Sequence, residues 1–240
     1  MDEDIQASIE VGDDEFDQYL DMMSAALRRT AALIKSAKDA PSETSDDTLR
    51  AAVVLLHAYL EDFLRTVARV HLPNADEATL NRVPLAGTGR AREFKLGALT
   101  RHRGHSVDEV IDDSVSEYLE QKSFSDITDI MVFLDSLGGS VKVKDVKLVI
   151  EDSSKASVDV PANPKTVVAV LGEMIKRRHQ IVHCADRAKN GKSLSAIEPV
   201  KVFEWTTAAM MFMISVTGSA TRMTSSQKAA QSALIRALTE

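Results

Sequence analysis

The residues best suited to chemistry lie near the end of a helical segment that begins after Pro164: Arg178, His179 and His183. A guanidinium holds a phosphate in a fork of N–H groups, and an imidazole carries a proton near neutral pH. On an ideal helix, residues five apart are separated by about 140° around the axis and ~7.5 Å along it. Arg178 and His183 therefore do not share a narrow stripe, but the long arginine side chain can swing toward the imidazole.

The segment that carries these residues has the pattern of an amphipathic helix over residues 164–182. Its apolar side chains recur at roughly helical spacing and predict one buried face: Val167, Val168, Leu171, Met174, Ile175, Ile181 and Val182. A cluster of basic and imidazole side chains, unlike the rest of the segment, is set onto this helix at residues 176–179 and at His183.

These residues resemble a known motif. Arg178, four intervening residues and His183, with the polar His179 directly after the arginine, resemble the Arg-x4–6-His signature of HEPN ribonucleases. The string at residues 176–183 (Lys-Arg-Arg-His-Gln-Ile-Val-His) is similar to the branch called RiboL-PSP-HEPN. Residues 57–65 (His-Ala-Tyr-Leu-Glu-Asp-Phe-Leu-Arg) resemble an early bundle helix of that branch. The resemblance spans roughly residues 48–215 and is sharp in these two helices.

The resemblance implies metal-independent cleavage of RNA by a homodimer whose two motifs meet at the interface. The ribose 2′-OH would attack the adjacent phosphate, and His183 would exchange a proton with the attacking or leaving oxygen. Arg178 would stabilise the charge of the transition state, and His179 would orient Arg178 or the phosphate. The family also implies a setting of stress or of defence against foreign genetic elements. Ala185 stands where silenced HEPN toxins carry a tyrosine, so no nucleotidyltransferase antitoxin is indicated.

Two further residues are predicted to support the site: Glu61 and Arg177. Glu61 or its neighbour Asp62 can hold Arg178 or tune His183, although either acid can equally be a solvated surface residue. Basic side chains that neutralise phosphates give the sequence-independent part of RNA binding. The residues predicted to do so are Lys176, Arg187, Arg101 and Arg103.

The distribution of charge is compatible with an RNA-processing site, although the net charge is −7. Residues 172–192 hold six basic and two acidic side chains, and residues 90–105 hold five basic and one acidic. The first seventeen residues hold eight acidic side chains and no basic one. Two basic islands therefore interrupt an acidic chain, and local charge matters more than the total.

Other interpretations of the motif remain open. His179 and His183 have the four-residue spacing of zinc ligands on a helix, but Gln180 stands where the metalloprotease pattern needs glutamate. No Cys or acid pair with suitable spacing stands nearby, so no metal and no cofactor is predicted. The main alternative function is a non-catalytic HEPN-like module that binds nucleotide or RNA or serves a defence system as an interaction subunit. A structural helical scaffold is the third possibility.

The composition restricts the class of protein. Apolar residues make up 44% and charged residues 27%, as in a soluble globular protein, and only 10 Gly and 6 Pro favour helices over a sandwich or barrel. The single cysteine, Cys184, excludes an internal disulfide framework and is predicted to be a small buried residue. No leader and no apolar run long enough for a membrane span is visible, which predicts a cytoplasmic protein without a membrane partner.

The predicted fold is all-α: a HEPN-like bundle of four core helices in a single domain over residues 13–240, with an acidic tail at residues 1–12. Residues 73–163 form an inserted middle section between the first and second helix pairs. The core helices are predicted at 14–38, 47–72 (capped by Ser45 or Asp46), 164–182 and 198–217. Outside the core we expect a basic helix at 90–103 and a capping box of Ser106 and Glu109 that opens a helix to about residue 122. A similar start at Ser125 leads a helix at 127–137, and a short ribbon within 141–150 and a helix at 225–240 follow.

Overall fold

The regular structure of this chain is helical throughout the residues that its computed structural model describes, namely 13–87, 100, 102–137, 146, 148, 165–187 and 193–220. The predicted all-α class is therefore confirmed. The α-helices are α1 (Asp13–Asp39), α2 (Ser42–His71), α3 (Glu77–Leu80), α4 (Val107–Gln121), α5 (Ile127–Ser136), α6 (Val167–Cys184) and α7 (Pro199–Ala220), and a 3-10 helix spans Leu72–Asn74.

Four long helices, α1, α2, α6 and α7, pack together and enclose the core. The central one is α2, which contacts the other three and is apolar on more than one side. Its fully buried side chains include Leu56, Leu60 and Phe63, and Tyr19 of α1 meets the Phe63 ring edge-on at 5.9 Å between centroids. This arrangement is the predicted HEPN-like bundle of four core helices, because burial on several sides requires partners on several sides.

The described parts of the middle section pack onto this bundle. Helix α4 lies against α2, and α5 lies against α6 at Gly172, where an added Cβ would come within 3.2 Å of Ile127 Cγ2. The approach of α5 to α6 is therefore close enough to favour a residue without a side chain. Just before α6, Val167 N–H donates to Val146 O and Leu148 N–H donates to Lys165 O, both at 2.9 Å.

Two predicted N-caps are wrong, and one is confirmed, while α5 begins at Ile127 as predicted. Helix α2 begins at Ser42 rather than after Ser45 or Asp46, because Asp46 and Asp47 lie inside the helix and pair with Arg50 at 3.6 and 3.0 Å. These are the i,i+4 and i,i+3 pairs that stabilise a helix. The cap of α5 is Asp126 rather than Ser125, since its carboxylate accepts from Thr128 N–H at 2.7 Å.

The capping box at the start of α4 is confirmed. Ser106 Oγ accepts from Glu109 N–H at 3.2 Å, and Glu109 Oε2 accepts from Ser106 N–H at 2.6 Å. We expect Ser106→Ala to lower the free energy of unfolding by about 1 kcal/mol, the usual loss for an N-cap. Urea denaturation measures this, with Ser116→Ala on the exposed side of the same helix as the control. Equal effects of the two changes would contradict a capping role for Ser106.

Several predicted elements lie outside the described residues. They are the acidic tail at 1–12, most of the basic helix at 90–103, most of the ribbon at 141–150 and the helix at 225–240. At the described end of the predicted basic helix, Thr100 and His102 have 3-10 conformation, and Arg103 and Gly104 form a turn. Within the described part of the chain, no helix combines the length and the apolar character that crossing a membrane requires.

Candidate functional site

The predicted motif lies on the last two turns of α6, beyond the part of the helix that is buried in the core. His179 and His183 are exposed on neighbouring turns, and their ring centroids are 4.4 Å apart with the ring planes inclined at 45°. Residues four apart face the same side of a helix, which explains why the two imidazoles meet. Both rings are therefore accessible to a ligand that approaches from solvent.

Arg178 lies on a different side of α6. It is half-buried, and its Nε is buried without a hydrogen-bond partner among the described residues. Its positive charge helps to lower the pKa of His57, which lies on α2. Within one chain, Arg178 and His183 thus face different directions, as the angle of about 140° between them predicts.

A polar group on α2 consists of the buried His57, the predicted supporting residue Glu61 and Arg65. His57 Nε2 lies 3.2 Å from Phe124 O, and because a carbonyl only accepts, Nε2 must carry the proton of this bond. Glu61 Oε1 accepts from Phe124 N–H at 3.2 Å, and Glu61 Oε2 lies 4.0 Å from His57 Nδ1 and 3.9 Å from Arg65 Nη2. Asp62 is exposed.

Burial is the main reason why the pKa of His57 is lowered. The charge of Glu61 opposes this shift, whereas the charges of Arg178 and Arg65 add to it. His57 is therefore held neutral by its surroundings while it links α2 to the segment before α5. The sequence places His57 on the same helix face as Glu61, as a possible supporting residue, but does not reveal its burial, which depends on Phe124, 67 residues away.

Because His57 is buried, we expect the protein to become less stable as the pH is lowered. A depressed pKa in the folded state means that the unfolded chain binds the proton more readily, so stability is complete above the unfolded pKa of about 6.5 and declines as pH falls below it. We expect His57→Gln, whose amide can still donate to Phe124 O, to reduce this decline between pH 7 and 5. Urea denaturation at several pH values measures it. If the free energy of unfolding changes with pH in the same way for both proteins, His57 does not contribute to the pH dependence of stability.

The end of α6 is anchored by an ion cluster that sequence reasoning missed. After Cys184 the chain turns through Ala185 and Asp186, whose φ angles are 48° and 55°. The buried Asp186 accepts through Oδ2 from Arg50 Nε and from Arg177 Nη2, both at 2.7 Å. Arg50 Nη2 also donates to Ser195 O at 3.0 Å. The start of α2 therefore holds the segment that directly follows the motif.

The predicted supporting residue Arg177 belongs to this cluster. Its Nη2 donates to Ser195 O at 2.9 Å and to Ala196 O at 3.0 Å, besides Asp186. It thus links α6 to the segment before α7 and does not face the side of the helix that carries the two exposed imidazoles. The prediction that Cys184 is buried is wrong: it is exposed, because α6 continues past the core before it ends.

The predicted RNA-binding residues occupy separate surfaces. Lys176 is exposed on α6, at the edge of an open groove of about 430 Å³ between α6 and the start of α7. Arg187 is exposed after the left-handed turn, and Arg103 is exposed in the turn before α4. Arg101 lies outside the described residues. Lys176 thus lies on the motif's helix, and Arg187 lies three residues after its end. Arg103 lies in the middle section.

The groove beside Lys176 is lined by paired charges. Lys201 Nζ lies 2.7 Å from Glu173 Oε2 and 2.5 Å from Glu204 Oε2, and it stands over the Trp205 ring at 5.7 Å. These pairs raise the pKa of Lys201 and lower the pKa of Glu173, although the burial of each group opposes the shift. The groove therefore presents a nearly balanced set of charges, with Lys176 on the side toward His179.

Comparison with known proteins agrees with the resemblance of the motif. The model of the RiboL-PSP-HEPN family matches residues 24–216, which include all of α2 and α6 and most of α1 and α7. No curated protein and no solved structure matches the chain. The match covers most of the 240 residues, and the helical bundle agrees with it. The chain therefore belongs to the RiboL-PSP-HEPN family, as a HEPN-type nuclease or RNA-binding module.

Proposed function

We propose that this protein is a metal-independent endoribonuclease whose active site is shared between two copies of the chain. The observation that carries the proposal is the exposed pair of imidazoles, His179 and His183, at the anchored helix end that also carries Arg178. The two accessible imidazoles in ring contact, and a guanidinium on the same helix whose Nε has no hydrogen-bond partner among the described residues, support a ligand site. A ligand that accepts hydrogen bonds, such as phosphate, suits all three groups.

The proposed reaction begins when the ribose 2′-OH attacks the adjacent phosphorus. The P–O5′ bond breaks, which leaves a 2′,3′-cyclic phosphate on one fragment and a 5′-OH on the other. His183 exchanges a proton with the attacking or leaving oxygen, because a neutral imidazole accepts a proton and an imidazolium donates one near neutral pH. Arg178 donates hydrogen bonds to the phosphate oxygens as negative charge develops. His179 orients the phosphate or Arg178.

The direction of Arg178 supports the shared site. Since Arg178 and His183 of one chain face different sides of α6, one phosphate meets both most simply if they come from different copies. Val182 lies between them on the helix surface and is 47% exposed, although it is apolar. A second copy that packs against this end of α6 would cover the Val182 side chain. We therefore propose that the dimer interface lies at this end of α6.

Four basic residues are proposed to bind the RNA backbone on both sides of the cleaved bond. Two of them, Lys176 and Arg187, lie on the motif's helix and directly after it, and the other two are Arg101 and Arg103. Phosphate contacts of this kind do not depend on base sequence and weaken as salt concentration rises. The setting that we propose, RNA cleavage under stress or in defence, rests on family membership alone.

The test is incubation of the purified protein with a mixed RNA pool in EDTA, followed by analysis of the fragment ends. We expect cleavage without added metal and fragments that end in 2′,3′-cyclic phosphate. Fragments that end in 3′-OH and 5′-phosphate would contradict attack by the 2′-OH. Binding of RNA without any cleavage would instead identify the protein as a non-catalytic RNA-binding module.

A further inference from the structure

A second group of polar side chains, in the middle section, has the composition of a metal site. His102, His105 and Asp113 each offer one ligand atom, and these three atoms lie within 4.8 Å of one another. The imidazole rings of His102 and His105 are 6.3 Å apart between centroids, and His105 Nδ1 lies 3.8 Å from Asp113 Oδ2. Sequence reasoning noted the two histidines only as part of a basic island.

The environment of His102 selects the ring nitrogen that would bind a metal. His102 Nε2 lies 3.3 Å from Ala86 O, and because a backbone carbonyl only accepts, Nε2 carries the proton. The lone pair of neutral His102 is then on Nδ1, which is buried and has no hydrogen-bond partner among the described residues. A histidine whose other ring nitrogen donates to a carbonyl is the usual form of a metal ligand.

The backbone brings the two histidines to the same side. Residues 102–105 form a tight turn in which His105 N–H donates to His102 O at 3.1 Å. Gly104 adopts a φ of 87°, a conformation that other residues rarely adopt. The capping box at Ser106 then starts α4 directly after the turn, which places Asp113 two helical turns further on. The geometry of the turn and the helix start is thus set without the ligand side chains.

We propose that His102 Nδ1, His105 Nδ1 and an Asp113 carboxylate oxygen bind one zinc ion, with water in the fourth position. Two imidazoles and one carboxylate form a donor set that zinc favours in tetrahedral geometry. Zinc holds such ligands at about 2.0–2.2 Å, so the three atoms must approach to within roughly 3.5 Å of one another. His105 and Asp113 are both exposed and can make this movement by side-chain rotation.

The bound ion links the turn at 102–105 to helix α4, and the hydrogen bond from His102 Nε2 to Ala86 O joins the turn to the loop that contains Ala86. It thereby fixes the exposed Arg103 relative to α4, on a surface proposed to meet RNA. The site does not include the motif on α6 and does not depend on the proposed cleavage reaction. A failure of one proposal is therefore distinguishable from a failure of the other.

The test is a titration of untagged, chelator-treated and desalted full-length protein with zinc chloride, followed by isothermal calorimetry. Wild type is expected to bind one zinc ion per chain. Asp113→Asn, which keeps the shape of the side chain, and His105→Ala are each expected to weaken binding at least tenfold, as loss of a ligand does. Both positions are exposed, so circular dichroism is expected to show folded proteins even if His102→Ala does not fold.

The matched control removes a second set of exposed side chains of the type that binds zinc: His179, His183 and Cys184. The variant His179→Ala/His183→Ala/Cys184→Ser is expected to keep wild-type zinc affinity. The proposal is overturned if this control loses zinc binding while Asp113→Asn and His105→Ala keep it, or if wild type binds no zinc. A second check is cobalt, whose visible absorption distinguishes four-coordinate from six-coordinate binding; a six-coordinate spectrum would contradict the tetrahedral site.

Discussion

His183→Ala is expected to slow RNA cleavage in EDTA by about 10²–10⁴-fold, the usual contribution of a positioned acid or base. Arg178→Ala is expected to slow it by roughly 10²–10³-fold, as loss of a donor to a developing anion does. Because His183 is exposed, its loss removes little packing, and urea denaturation is expected to show unchanged stability. The measurement is the single-turnover rate with protein in excess over a labelled RNA.

Arg178 needs a closer control because it is half-buried and its charge acts on His57. Arg178→Lys keeps the positive charge but loses the planar fork that binds two phosphate oxygens. We expect it to remain folded and to cleave slowly. Arg29→Ala, at an exposed position on α1, is the control for loss of one arginine and is expected to cleave at the wild-type rate.

Cleavage by folded His183→Ala at the wild-type rate would place the activity elsewhere or in a contaminant.

A mixture of the two inactive variants tests whether the site is shared. In a dimer of one Arg178→Ala chain and one His183→Ala chain, the intact arginine and the intact histidine lie on different copies. If the site combines residues of both copies, such a dimer retains one complete site. Random re-pairing is then expected to restore about a quarter of wild-type activity, since half of the dimers are mixed and each has one of its two sites. No restoration would place both residues in one chain.

Asp186→Asn is expected to lower the free energy of unfolding by about 3–5 kcal/mol, the usual result when one partner of a buried ion pair is removed. The Asp186 side chain is only 1% exposed, and its Oδ2 accepts from both Arg50 and Arg177. Without the negative charge, two guanidinium groups remain close together at a site that water barely reaches. Asparagine is chosen because, like aspartate, it tolerates the left-handed backbone at this position.

Asp47→Asn is the matched control, since Asp47 also pairs with Arg50 at 3.0 Å. Its side chain is 74% exposed, and water screens such a pair, so the expected loss is under about 1 kcal/mol. Urea denaturation of both variants measures the difference. Equal losses would mean that the buried cluster does not anchor the end of α6. Weakened anchoring is also expected to slow RNA cleavage, because Asp186 lies three residues after His183.

The sequence alone determined the features that neighbouring residues encode. The apolar spacing in α6 predicted a helix at 164–182, close to the observed Val167–Cys184, because one buried face repeats with the helical period. The pair Ser106 and Glu109 predicted the start of α4, because a capping box is complete within four residues. The motif was found for the same reason: Arg178, His179 and His183 are close in the chain.

Only the tertiary structure decided which side chains are buried and which distant groups meet. Asp186 and Arg50 are 136 residues apart, and no local pattern pairs them. Cys184 is exposed because α6 extends beyond its neighbours, a matter of helix packing that the residue type does not reveal. That Arg178 is half-buried while His179 and His183 are exposed likewise depends on how α6 rotates when its apolar face enters the core. Periodicity acts over a few residues, whereas burial, ion pairing and ligand clusters depend on contacts between elements that the chain brings together from far apart.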